Sequence, residues 1–153
     1  MKVTHIPLRL VTGAFILNTG WTKRELDKDN AAGLQAMAAR VVPPVSRLEP
    51  EKFGKLLSYA EIMLGTALLA PFVPSRLAGL GLGVFSGSLF TMYLRTPGMT
   101  LEDGIRPSPQ GTVLAKDIWM LGIAAALVLD KKRPRGQAPA MQPGTRGGKV
   151  LIS

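Results

Sequence analysis

Four apolar runs, separated by charged or proline-rich stretches, constrain this chain more than any other feature of its sequence. The mean hydropathy is +0.20 although 19% of the residues are charged, so the charges must lie apart from the apolar residues. A soluble domain of this length would interleave the two at helical or strand periods. The pattern therefore predicts an all-α polytopic membrane protein, a bundle of four transmembrane helices. The predicted spans are residues 6–21, 53–73, 76–94 and 112–129.

The first run is short, because it reaches about 24 Å as a helix against a bilayer core of about 30 Å. A cleaved signal peptide and a buried soluble helix are the alternatives for it. Arg9 lies too close to the apolar stretch for a signal peptide, and no A-x-A site follows. The longer runs that follow argue against a soluble helix.

The charged connector between the first two runs contains the sequence AAGLQAMAARVV, which predicts a short amphipathic helix outside the membrane. Asp29 or Asn30 is expected to cap its start, and Pro43 to end it. A simple solvated connector is the alternative. The predicted apolar face consists of Leu34, Met37, Ala38 and Val41.

The third run carries a stripe of small residues. Gly79, Gly83 and Gly87 recur every fourth residue and share one helix face. Such a stripe lets a second helix approach closely in lipid. These three glycines are therefore predicted to be helix-packing residues.

The orientation is predicted from the charges near the helix ends. Residues 1–130 form the transmembrane domain, and residues 131–153 a basic Gly/Pro-rich tail that is predicted to be disordered. Basic residues flank the first and last runs, which places both termini in the cytoplasm of a multi-pass plasma-membrane protein. The four-span alignment then predicts an aromatic belt at the outer interface, formed by Trp21, Tyr59, Tyr93 and Trp119.

The composition excludes several kinds of chemistry. The sequence has no cysteine and one histidine, His5, which is predicted to be exposed. Disulfides, iron–sulfur clusters, bis-histidine haem and Cys/His zinc sites are therefore excluded, and no metal site is predicted. The net charge of +9 accompanies no nucleic-acid motif. We predict no nucleic-acid partner and no catalytic residues, since no nucleophile–base pattern is visible.

Several motifs, in order and spacing, resemble the DoxX family over roughly residues 6–130. The first helix of that family is similar to R-L-x-x-G-x-x-x-L-x-x-G-x-x-K, which starts at Arg9. Its second and fourth helices are similar to A-E-I-M-L-G (60–65) and A-K-D-I-W-M-L-G (115–122). The stretch T-M-Y-L-R-T-P-G-M (91–99) resembles the actinobacterial DoxX-like subgroup.

The resemblance implies a four-helix membrane bundle and a link to membrane redox chemistry. Some members are associated with quinone-linked oxidation, including small subunits of thiosulfate:quinone oxidoreductases, and others with complexes that handle oxidative stress. The family branch that works in disulfide chemistry uses cysteines, so this chain does not fit that branch. The resemblance suggests a quinone as ligand and a membrane oxidoreductase as partner. No covalently bound or metal cofactor is expected, and the candidate partners also include the lipid bilayer and further copies of this chain.

Glu61 is the most informative side chain, because it lies about two turns, or roughly 9 Å, inside the second span. An ionised carboxylate there needs a partner. It is either a proton-handling group beside a quinone-like head group or a structural ion pair that fixes helix register. Its depth matches Asn18, Arg95 and Lys116, whereas Lys23 is expected to be an interfacial residue. The predicted outer-leaflet ligand cluster consists of Asn18, Lys23, Glu61, Arg95, Lys116 and Asp117.

At the other end of the bundle, Arg9 is predicted either to pair with Asp130 or to extend to lipid phosphates. The leading functional hypothesis is an accessory or quinone-proximal subunit of a membrane redox complex, without cofactor chemistry of its own. A structural or assembly subunit is the alternative. A small transporter ranks lowest, because the polar residues gather at the two ends and the middle of the bundle is apolar.

Overall fold

The computed structural model describes residues 4–129, and its regular structure is helical. Within these residues the only strand-like feature is an isolated bridge between Thr100 and Pro107. The predicted all-helical fold is therefore confirmed, whereas Asp130 and the tail at 131–153 lie outside the described residues. The helices are α1 (His5–Thr22), α2 (Lys28–Ala39), α3 (Pro50–Leu69), α4 (Ser75–Arg95), α5 (Thr112–Ala115) and α6 (Trp119–Leu129), with 3-10 turns at Lys23–Glu25, Pro43–Arg47 and Lys116–Ile118.

Two segments are long and apolar enough to cross a membrane. They are Ser75–Arg95, with a mean hydropathy of 1.5, and Thr112–Leu129, with a mean hydropathy of 1.8. Both coincide with the predicted third and fourth spans. The helices α1 and α3 carry more polar side chains, among them Arg9 and Glu61, and their membrane insertion stays a prediction.

Two prolines separate α3 from α4. Pro71 and Pro74 lack a backbone N–H, and proline also disfavours a helical conformation in the residue before it. The helix α3 therefore ends at Leu69, four residues before the predicted end at 73, and α4 begins at Ser75. The short connection makes α3 and α4 a helical hairpin.

The closest helix contact joins α1 to α3 and depends on glycine. A Cβ atom built on Gly65 would lie 2.6 Å from the backbone nitrogen of Leu17, and one built on Gly20 would lie 2.8 Å from the backbone nitrogen of Ile62. Real Cβ atoms do not approach that closely, so these two positions allow the backbones of α1 and α3 to touch. Sequence spacing did not single out either glycine as a packing residue.

The predicted glycine stripe of α4 faces α6 at one end only. A Cβ on Gly79 would lie 2.7 Å from Leu127 Cβ, and one on Gly83 would lie 3.7 Å from Ala124 Cβ. A Cβ on Gly87 would meet nothing within 4 Å. The two helices therefore diverge along the stripe, and close approach requires glycine only at position 79.

A buried apolar cluster joins α1, α3, α4 and α6. Its members are fully enclosed side chains from each of the four helices, which fixes how the helices pack against each other. The cluster consists of Ile16, Leu68, Ala78, Leu82, Met120, Ala124 and Leu127.

The helix α2 begins earlier than predicted. Asp27, not Asp29 or Asn30, is the N-cap, and its carboxylate accepts a hydrogen bond from the Asn30 backbone N–H at 2.9 Å. Hydrogen bonds from Asn30 hold the pKa of Asp27 below its usual value, so the cap is lost only when the pH falls through that lowered value. The fully buried face of α2 is formed by Ala31 and Gln35 instead of the predicted apolar residues, which are half-buried.

The connection between α4 and α5 is held by side-chain hydrogen bonds. Tyr93 is 2% exposed and its hydroxyl donates to the Ile105 carbonyl at 2.6 Å. Tyr93 is therefore not part of an aromatic belt, whereas Trp21 and Tyr59 are exposed. The predicted exposure of His5 is also wrong, since His5 is 7% exposed.

Candidate functional site

A buried ion pair joins the end of α1 to α3. The Lys23 ammonium lies 2.6 Å from Glu61 Oε1 and 2.8 Å from Oε2. Glu61 is 2% exposed, whereas the side chain of Lys23 is 25% exposed. Both carboxylate oxygens therefore have a charged donor, and the side chain of Lys23 remains partly exposed.

The local structure explains why Lys23 can reach Glu61. The helix α1 ends at Thr22, and the 3-10 turn Lys23–Glu25 carries the lysine across the end of α3. Gly20 brings the two backbones together one turn earlier, where the Ser58 hydroxyl also donates to the Gly20 carbonyl at 2.7 Å. The ion pair is thus an extension of the glycine-dependent contact between α1 and α3.

Asp117 is the third charged residue of this region. It lies in the 3-10 turn Lys116–Ile118, which interrupts the predicted fourth span between α5 and α6. Its Oδ1 atom is buried and accepts no hydrogen bond from any described residue. Asp117 lies toward the same end of the molecule as Lys23, because the chain enters the 112–129 segment from the end at which α4 finishes and α3 begins. We call Lys23, Glu61 and Asp117 the polar cluster, and the end of the molecule that contains it the Lys23 end.

The structure places the other three predicted ligand residues outside this polar cluster. Asn18 and Lys116 are exposed. Arg95 is exposed and donates to the Arg40 carbonyl at 3.1 Å, which ties the end of α4 to the end of α2. Depth matching predicted these three residues as partners of Glu61, but the partner is Lys23. The prediction was wrong because depth alone neglects the turn that redirects the chain after α1.

Arg9 organises the opposite end of the molecule. Arg9 is 2% exposed. The hypothesis that its side chain extends to lipid phosphates is therefore wrong. Its guanidinium donates to backbone carbonyls around the end of α3 and to one hydroxyl at the start of α4. The acceptors are the carbonyls of Ala67 (2.9 Å), Leu68 (2.7 Å), Ala70 (2.8 Å) and Val73 (2.9 Å) and the hydroxyl of Ser75 (3.3 Å).

A signal for this role of Arg9 was present in the sequence. The last four carbonyls of any helix lack partners within the helix, and Pro71 and Pro74 prevent the chain from continuing α3. A helix end next to a tight turn in an apolar segment therefore needs an external donor, and Arg9 is the basic residue at matching depth on α1. The two predicted partners of Arg9 were the Asp130 carboxylate and lipid phosphates, and neither is a helix carbonyl.

The polar cluster can hold a polar head group, but its residues do not form a catalytic arrangement. The Lys23 ammonium is bound to both oxygens of Glu61, and the buried Oδ1 of Asp117 remains as an acceptor that a hydroxyl of a ligand could satisfy. In the part of the chain that the structure describes, no three His, Cys, Asp or Glu side chains are grouped so as to hold a metal ion. The arrangement suits hydrogen bonding and proton exchange with a small organic head group.

The fold and site define a class: an all-helical protein with two segments able to cross a membrane and a buried ion pair at one end. No family model, no curated protein and no solved structure matches the chain.

Proposed function

We propose that this chain is a four-span integral membrane protein that serves as an accessory, quinone-proximal subunit of a membrane redox complex. The observation that carries the proposal is a buried carboxylate oxygen of Asp117 that lacks a donor among the described residues, at the end of the molecule that also holds the buried Lys23–Glu61 pair. A quinol hydroxyl could donate to that oxygen.

The distribution of polar and apolar side chains supports the membrane location. Charged and hydroxyl-bearing residues such as Arg9, Ser58 and Glu61 are enclosed between helices. Large apolar side chains lie on the outside, where water would disfavour them and lipid would not. Each of the four proposed spans contributes at least one: Val11 (65% exposed), Met63 (73%), Val84 (73%) and Val113 (62%).

The redox part of the proposal is supported by the motifs that resemble the DoxX family. All three residues of the polar cluster occur within those motifs. Glu61 lies in A-E-I-M-L-G, Asp117 in A-K-D-I-W-M-L-G, and Lys23 is the last residue of the first motif. The polar cluster is thus made up of residues that belong to the motifs.

The four-span topology predicts that the connectors on either side of α3–α4 lie on the same side of the membrane. The chain has no cysteine, so single cysteines at Gly33 and Glu102 can be labelled with a membrane-impermeant maleimide in intact cells. A side chain at Gly33 meets no atom within 4 Å. We expect both variants to be labelled from outside, and Phe72→Cys, at the α3–α4 turn, only after permeabilisation. Labelling of Gly33→Cys and Glu102→Cys from opposite sides would show that only α4 and the 112–129 segment span the membrane.

The quinone-proximal role predicts that the purified full chain retains quinone. We expect Asp117→Asn to lower the quinone recovered by solvent extraction by about tenfold, because one hydrogen bond to a charged acceptor is worth about 1.5 to 3 kcal/mol. Glu102→Gln neutralises an exposed carboxylate elsewhere and is expected to change nothing. Equal quinone recovery from both variants, or none from the unaltered protein, would contradict the proposed role.

A structural or assembly subunit is the second candidate function. Both oxygens of Glu61 already bind Lys23, and this observation favours the second candidate. An ion pair with both oxygens occupied is expected where its role is to fix the register of two helices. In that case Glu61→Gln would lower stability without any change in bound quinone. Co-purification of a defined membrane oxidoreductase would name the partner for either function.

A further inference from the structure

A basic cleft lies at the Lys23 end, next to the polar cluster but distinct from it. Its volume is about 250 Å³. It lies between the turn after α1, the first residues of α2 and the first two turns of α3. The charged residues that line it are Lys23, Arg24, Lys28 and Lys55 together with Asp27 and Glu51.

The cleft carries more positive than negative charge. Arg24, Lys28 and Lys55 make no salt bridge with any residue from 4 to 129. Asp27 also lines the cleft, and its two oxygens accept hydrogen bonds from the Asn30 backbone and side-chain amides at 2.9 and 2.6 Å. Three exposed cations therefore face two carboxylates, Asp27 and Glu51, and the net positive charge favours an anion.

An aromatic residue beside the cleft and a glycine in its lining favour a ligand at a membrane interface. The Arg24 guanidinium, which lines the cleft, lies 4.4 Å from the centre of the Trp21 ring. Gly54 forms part of the lining, where a Cβ would already be 3.4 Å from Ala31 Cβ. Trp21 is 61% exposed, and tryptophan is enriched at the depth of lipid head groups.

We propose that this cleft binds a phosphate-bearing anion. Four basic side chains surround a volume that accommodates a phosphate group, and three of them are available to it. Lysine acts on phosphate as a point charge, and arginine adds directed N–H donors. The ligand is either the phosphodiester of an anionic lipid or a soluble phosphate compound. The exposed Trp21 beside the cleft, together with the proposed membrane location, makes the lipid the first source to test. The proposal does not depend on quinone binding, since neither Glu61 nor Asp117 lines the cleft.

The test measures lipid binding to the purified full chain in detergent by native mass spectrometry. Phosphatidylglycerol is titrated against phosphatidylcholine with the same acyl chains. The variant carries Lys28→Gln with Lys55→Gln, both at exposed positions of the cleft. We expect the Kd for phosphatidylglycerol to rise by about 25-fold, or about 5-fold for each cation removed, with little change for phosphatidylcholine.

A matched control removes the same charge outside the cleft. Arg47→Gln with Lys52→Gln changes two exposed cations at the same end of the molecule, and neither lines the cleft. We expect this variant to bind phosphatidylglycerol like the unaltered protein. Equal weakening by both pairs would show general charge attraction and would overturn the proposal.

The second arm uses glycerol phosphate, measured by calorimetry on the same three samples, which are the unaltered protein, the cleft variant and the control variant. Binding of glycerol phosphate that is lost in the cleft variant alone, without preference for phosphatidylglycerol, would identify a soluble phosphate as the ligand. Failure of both anions to bind the unaltered protein would overturn the proposal and leave the quinone-proximal role untouched.

Discussion

Replacing Arg9 with methionine is expected to lower the free energy of unfolding by about 3 to 5 kcal/mol, because it leaves several buried carbonyls without a donor at about 1 to 3 kcal/mol each. The substitution removes the bonds to the carbonyls around the end of α3 and to the Ser75 hydroxyl. Methionine fills a similar volume, so the loss is not that of a large cavity. Removal of a buried charge offsets part of the cost.

The measurement is unfolding of the purified full chain in mild detergent by titration with sodium dodecyl sulfate, followed by circular dichroism. Arg47→Met is the matched control, since Arg47 is exposed in the connector before α3, and it is expected to change stability by about 0.5 kcal/mol or less. Arg9→Lys keeps the charge but donates from one nitrogen only, so we expect an intermediate loss. Equal stability of the Arg9→Met and Arg47→Met variants would contradict the role assigned to Arg9.

The helices were predictable from the sequence because their causes are local. The apolar runs are long enough to form helices, so they predict where the chain is helical. The two prolines between α3 and α4 predict where it turns. The early start of α2 could also have been found, since Asp27 precedes Asn30 by the three residues that an N-cap hydrogen bond requires. These features depend on neighbours within one or two turns.

The partners of the charged residues were not predictable by the same means. Lys23 pairs with Glu61 because a single 3-10 turn redirects the chain after α1. A depth estimated along a straight helix axis does not take that turn into account. Arg9 reaches a helix end that exists only after α3 and α4 have formed their hairpin. The membrane location could be argued from composition, but the residues that would hold a head group depend on how helices rotate against each other.

The rotation of the helices also decides which glycines lie at a close helix contact. We therefore expect alanine substitutions at Gly65 and Gly87 to change the free energy of unfolding in opposite directions. Gly65→Ala should lower the free energy of unfolding by about 2 kcal/mol, because overpacking of a close contact costs about 1 to 3 kcal/mol or more. The new Cβ would lie 2.6 Å from the nitrogen and 2.8 Å from the Cα of Leu17. Both atoms belong to backbone, so α1 would have to move away from α3, and the Lys23–Glu61 pair with it.

Gly87→Ala is the matched control within the predicted glycine stripe. Its new Cβ would meet nothing within 4 Å, so the gain in helix propensity of about 0.8 to 1 kcal/mol remains without a steric cost. Detergent unfolding of the two variants should therefore shift in opposite directions from the unaltered protein. A larger loss at Gly87 than at Gly65 would show that the stripe on α4 forms the principal helix contact, as its spacing alone suggests, and that the α1–α3 contact is secondary.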